Sequence, residues 1–165
     1  TPPWTAAQVA ARKERQLEEI LEEWSEAAPQ VEEITPMFPP GIAAQWIADT
    51  STHEQDVRGA LNKPGARDAD SMGVALGFLG KGFIRAAEHA GLEGLRVRVG
   101  EREWSTGQDT TITLVAEPFE FARAAAGRRS LDQIRVMNWD GDPEPYLKAF
   151  EWGPFRPSAT DIVEP

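Results

Sequence analysis

The spacing of hydrophobic positions changes at Pro64, from a helical period before it to a mixture of periods after it. Thr5 with Gln8 has the spacing of a capping box, and Leu17, Ile20, Leu21, Trp24 and Ala28 then recur every three or four residues. This predicts one helix over about 5–28, ended by Pro29, with Val31 beyond it. Lys13, Arg15, Glu18, Glu19, Glu22 and Glu23 mostly cover its other side. Residues 35–41 include Pro36, Pro39 and Pro40, which deny the segment a regular hydrogen-bond ladder and make it a connector. A second helix is expected over 41–61, stopped by Asn62-Lys63-Pro64-Gly65. On that helix Ile42, Trp46, Asp49, His53, Val57 and Ala60 share one stripe, which by its apolar majority should face a core.

Beyond Pro64, residues 71–89 read as a helix whose apolar face is Ala75, Leu76, Leu79 and Phe83. Leu95-Arg-Val-Arg-Val99 alternates with period two, as a half-buried strand does, and 101–105 is its short partner. Residues 111–115 make another strand. Pro118 suits the start of a helix with Phe119, Phe121, Ala122 and Ala125 on its apolar side and Gly127 as its C-cap. Ser130 caps a further helix to about Val136, 140–143 is a turn, 146–150 a short helix, and the remainder a Pro-rich tail. The fold class is therefore α+β, in two parts, 1–64 and 65–165. Two helices with one apolar stripe each cannot close a core as a hairpin. The first part should be completed by further helices, by the second part, or by a partner chain.

Composition narrows the functions. With 165 residues and a net charge of −10, the chain is a poor general partner for nucleic acid or an anionic membrane surface. No run of 18 apolar residues is present, so a membrane span is not expected. The chain opens Thr-Pro-Pro-Trp, without an initiator Met or a leader pattern. The expectation is a processed or truncated cytoplasmic protein. There are no cysteines, so disulfides, Cys-ligated zinc and a protein thiol nucleophile are excluded, and thiol chemistry would need an exogenous thiol.

The chemistry centres on Asp49 and His53. Placed inward at i and i+4 they would need partners, because unpaired burial costs several kcal/mol. A divalent metal is one solution, since carboxylate oxygen and imidazole nitrogen both ligate zinc; a hydrogen-bonded pair is the other. A catalytic zinc usually has three protein ligands, and the only other histidine, His89, reads as a partner for a helix C-terminus. Asp56 has two readings as well: holding the second imidazole nitrogen, or pairing with Arg58 or another basic group. Glu54, Gln55 and Arg58 are expected to point away from the stripe. Arg123, Arg128 and Arg129 form a small basic cluster that would attract an anionic substrate or compensate a helix C-terminus. Asp140-Gly141-Asp142 is a turn, because no Glu stands at the twelfth position of a calcium loop. The six tryptophans read as core and interface residues.

The segment Trp46-Ile-Ala-Asp-Thr-Ser-Thr-His-Glu-Gln-Asp-Val-Arg-Gly-Ala-Leu61 resembles the ligand-helix region of mycothiol-dependent maleylpyruvate isomerase-like proteins, of the DinB-like bundle superfamily. Phe119-Glu-Phe-Ala-Arg-Ala-Ala-Ala-Gly-Arg-Arg-Ser130, Trp139-Asp-Gly-Asp-Pro-Glu-Pro-Tyr-Leu-Lys-Ala-Phe150 and Pro154-Phe155-Arg156 are similar to the same proteins, in the same order. The resemblance implies a four-helix bundle followed by a small sterol-carrier-protein-like α+β domain. It implies a divalent metal, zinc first, on an acidic residue and a His four apart, which fall on Asp49 and His53. It also implies a mycothiol-type thiol cofactor and a small electrophilic substrate. The family more often has Glu at the first ligand position, so Asp49 shortens the reach. Its third ligand is a His on an earlier bundle helix, and no His precedes His53 here. On this resemblance 1–64 is the second half of the bundle, and the first two helices have been lost, cleaved off, or come from a separate chain.

Overall fold

The structure, a computed structural model, describes residues 3–165; Thr1 and Pro2, the start of the expected N-terminal part, lie outside the described residues. It is mixed α+β, with two compact units, one running to Ala43 and the other from Ala44 to Pro165.

In the first unit the predicted single helix is two. Helix α1 is Pro3–Arg12 and α2 is Leu17–Ile34. The break has a local cause: the Gln16 backbone N–H donates to the Glu19 carboxylate at 3.0 Å, a helix-start contact that the sequence reading credited to Thr5 instead. Arg12 and Arg15 then pair with Glu23 across the turn. Pro29 does not end α2, which continues to Ile34. Neither helix has a buried residue, and Leu17, Leu21 and Trp24 are more than half exposed.

The second unit contains most of α3 (Pro40–Ala60), then α4 (Asp70–His89). A four-stranded sheet of order β2-β1-β3-β4 follows, from β1 (Leu95–Val99), β2 (Arg102–Ser105), β3 (Ile112–Ala116) and β4 (Asn138–Trp139). β2 and β4 run antiparallel to their neighbours, whereas β3 is parallel to β1. The short link between β2 and β3 therefore passes the start of β1. Thr106 anchors it there: its hydroxyl donates to the Leu92 carbonyl at 2.7 Å and accepts from the Leu95 N–H at 3.0 Å. Helices α5 (Pro118–Ala125) and α6 (Leu131–Arg135) and a 3-10 turn, Glu144–Phe150, complete the unit.

The alternation read from 95–99 is real: Leu95, Val97 and Val99 are buried, and Arg96 and Arg98 pair with Glu103 on the other side. Those three strand residues join Ala75, Leu76, Leu79 and Phe83 of α4 and Phe121 of α5 in the core. Phe83 packs edge-on to Phe121, with ring centroids 5.5 Å apart, and against Phe150 at 4.6 Å. Gly80 and Gly82 sit under the indoles of Trp104 and Trp152, so α4 approaches both rings through positions where a side chain has no room. Gly127 ends α5 in the left-handed region at φ 77°, with the Arg128 N–H closing onto the Arg123 carbonyl at 2.7 Å. Ser130 caps α6 as predicted. Trp104, Trp139 and Trp152 pack against the core, but Trp4 and Trp24 are exposed.

Candidate functional site

Helix α3 spans Pro40–Ala60, close to the predicted 41–61, but it is turned differently. Its buried positions are Ala48, Ser51 and Gln55. The stripe expected to face a core is the exposed one: Ile42, Trp46 and Val57 are 39%, 36% and 58% exposed. Small side chains explain the choice. Ala48 and Ser51 permit close approach of the backbone, and Gln55, expected to point away, is buried with its amide donating to the Gly65 carbonyl at 3.0 Å. Glu54 and Arg58 do face outward, and pair with each other at 2.8 Å.

Asp49 and His53 therefore lie at the surface, their side chains 74% and 64% exposed. His53 Nε2 is 3.7 Å from Asp49 Oδ1, and its Nδ1 is 3.3 Å from Asp56 Oδ2. The imidazole thus stands between two carboxylates. The first separation suits a shared cation: with metal–ligand lengths of about 2.1 Å, atoms 3.7 Å apart subtend about 125° at the metal, within the range of a distorted tetrahedron. Asp49 and His53 are the residues that could hold such an ion. Among the described residues no group of three or more His, Asp or Glu side chains is assembled to hold one. The donor chemistry suits a divalent ion, and two such side chains are present.

Asp56 lies 3.3 Å from the His53 ring and pairs with basic groups other than Arg58. Besides facing His53, it accepts from Arg123 Nη2 at 2.7 Å on Oδ1 and from Arg128 Nη2 at 2.8 Å on Oδ2. Partial burial works to raise its pKa, but the hydrogen bonds from Arg128 and Arg123 outweigh it and hold the carboxyl below its ordinary value.

The basic cluster is neutralised from within the chain. Arg123 also meets Glu164 at 2.7 Å, and Arg129 meets Glu164 at 2.7 Å and Glu120 at 2.9 Å. Arg123, Arg129 and Glu164 are almost fully buried. The three arginines, expected either to draw an anionic substrate or to compensate a helix C-terminus, are thus each engaged by a carboxylate of Asp56, Glu120 or Glu164. The residue that sequence reasoning missed is Glu164, which sits in what reads as a featureless tail. That tail is tied down further: Gln133 exchanges two hydrogen bonds with Ile162, and Ser130 Oγ meets Asp161.

His89 fills its expected place, with Nδ1 2.9 Å from the Arg85 carbonyl in the last turn of α4. Asp140 acts as a turn residue, accepting from the Thr113 N–H with Oδ1. A cleft of about 430 Å³ lined by Ser130, Arg135, Arg156 and Ser158 includes neither Asp49 nor His53. No described helix is long and apolar enough to cross a membrane. No family model, curated protein or solved structure matches this chain.

Proposed function

We propose that the chain is part of a metal-dependent isomerase or transferase that uses a mycothiol-type thiol and acts on a small electrophilic substrate, like the mycothiol-dependent maleylpyruvate isomerase-like proteins. In this reading α2 and α3 are two helices of a DinB-like bundle, and the mixed unit is a sterol-carrier-protein-like domain. The observation that carries it is the pair His53 Nε2 and Asp49 Oδ1, 3.7 Å apart on consecutive turns of α3 and open to solvent. Both would bind a divalent ion, zinc first among the candidates. The remaining ligand would come from bundle helices supplied by further sequence or by a separate chain; the exposure of Leu17, Leu21 and Trp24 on α2 agrees with further helices packing there. Such an ion lowers the pKa of a coordinating thiol and so supplies a thiolate at neutral pH. Asp49 and His53 would hold the ion from α3, Asp49 through its short side chain.

The test is cobalt substitution. The chain incubated with Co²⁺ should show a visible spectrum that changes when a thiol is added, and His53→Ala should abolish both. A spectrum identical for the parent and His53→Ala overturns the proposal. A second reading, a non-catalytic binding or scaffold module with a plain Asp49–His53 surface pair, is favoured by the exposure of both side chains. It predicts no bound metal and no response to the thiol.

A further inference from the structure

Two arginines beyond α3 fasten a carboxylate beside its only imidazole. Arg123 is nearly fully buried, and it grips α3 at two points: Nη2 on Asp56 Oδ1 at 2.7 Å, and Nη1 on the Thr52 carbonyl at 3.2 Å. Arg128 holds the same carboxylate through Nη2 on Oδ2 at 2.8 Å and Nε on Oδ1 at 3.3 Å, while its Nη1 donates to the Ala126 carbonyl at 2.7 Å. A carboxylate gripped by two guanidinium groups has little freedom to turn. Its Oδ2 faces His53 Nδ1 at 3.3 Å.

We propose that Asp56, held by Arg123 and Arg128, is a positioning residue that keeps the His53 ring proton on Nδ1 and so leaves the Nε2 lone pair facing Asp49. The inference rests on the reading of His53 as a metal ligand and adds how that ligand is prepared. Two carboxylates compete for the ring proton. Asp56 is nearer, at 3.3 Å, and a third exposed; Asp49 is farther, at 3.7 Å, and three-quarters exposed, so water screens it more. The arginines also decide which carboxylate does what. Both Asp56 oxygens are engaged, which keeps Asp56 from moving to the Nε2 side and serving as a ligand itself. Asp49, with no such anchor in the cluster, is the carboxylate left to meet a cation. A carboxylate behind a metal-binding imidazole raises its basicity and fixes its orientation, and losing it commonly weakens metal binding about 10–100-fold.

Long-range proton–nitrogen NMR of the histidine rings tests this without any metal. In the intact chain at alkaline pH, His53 should be chiefly the Nδ1–H form. The double variant Asp56→Asn/Arg128→Gln removes one anion and one cation together, and His53 should then shift to the Nε2–H form; Asp56→Asn alone should report the same shift. Zinc affinity by calorimetry should fall about 10–100-fold in the double variant. If His53→Ala abolishes zinc binding while the double variant changes neither tautomer nor affinity, the positioning role is overturned and the metal reading stands. If His53→Ala leaves zinc affinity unchanged, the metal reading falls instead.

Discussion

Glu164→Gln keeps a side chain of the same shape but removes the charge that lies between two buried guanidinium groups. The carboxylate is 2.7 Å from both Arg123 Nη2 and Arg129 Nη1, and the three side chains are 5%, 4% and 6% exposed. Removing one partner of a buried ion pair costs about 3–5 kcal/mol. Each arginine retains a second carboxylate, Asp56 for Arg123 and Glu120 for Arg129. The lower end of the range therefore applies, about 3 kcal/mol. For a domain of this size that lowers Tm by about 6–12 °C. Heating followed by near-ultraviolet circular dichroism, which reports the packed indoles of Trp104 and Trp152, measures it. Glu120→Gln is the comparison, because its carboxylate is 47% exposed and such pairs contribute about 0–1 kcal/mol. Equal shifts of under about 2 °C in the two variants would refute the reasoning that burial, rather than pairing alone, sets the contribution.

Acid should weaken the same network. Asp56 and Glu120 have pKa values below their ordinary 3.8 and 4.5: in Asp56 the arginine bonds outweigh a burial effect of opposite sign, and in Glu120 the hydrogen bond from Arg129 dominates. A carboxyl depressed in the folded state stabilises above its unfolded pKa, and that stabilisation is lost as pH falls through the folded value. Tm should thus be flat above about pH 5 and decline below it; a Tm that rises on acidification contradicts the assignment. The glycines of α4 give a prediction of sign. Gly82→Ala drives a methyl group into Trp152, an overpacking cost of about 1–3 kcal/mol against a helix-propensity gain of about 1 kcal/mol. At Gly73 the nearest obstacle is the flexible end of Arg102 at 3.6 Å, so Gly73→Ala keeps the gain. Urea unfolding should show Gly82→Ala less stable and Gly73→Ala more stable than the parent, and shifts of the same sign would count against this packing.

The mixed unit was legible where one signal dominated. Period-two alternation marked β1, and the helical spacing of Ala75, Leu76, Leu79 and Phe83 marked the buried face of α4. Pro118, Gly127 and Ser130 marked helix ends through their local backbone chemistry. β4 went unseen because two residues carry no periodicity, and Asn138–Trp139 is recruited by pairing with β3. The face of α3 was misread because hydrophobicity favours Ile42, Trp46 and Val57, whereas close packing selects Ala48 and Ser51. The Gln16 helix start was hidden because Gln is a weak cap whose effect depends on Glu19 answering it. In the candidate site, Asp49 and His53 were singled out by spacing and Asp56 by proximity, and the structure sets the imidazole between the two carboxylates. Glu164 could not be found this way: its partners are 41 and 35 residues away in sequence, and nothing local distinguishes it from the other acidic residues of the tail.

That separation has a consequence for how the protein is made. Arg123 leaves the ribosome 41 residues before Glu164 does. Until then its counter-charge in the growing chain is Asp56 alone, and Arg129 has only Glu120 at the surface. A guanidinium resists entering an apolar interior without enough counter-charge, so α5 should seat fully only after Glu164 has been made. The unit would then complete its folding only when residues far apart in its own sequence are both present.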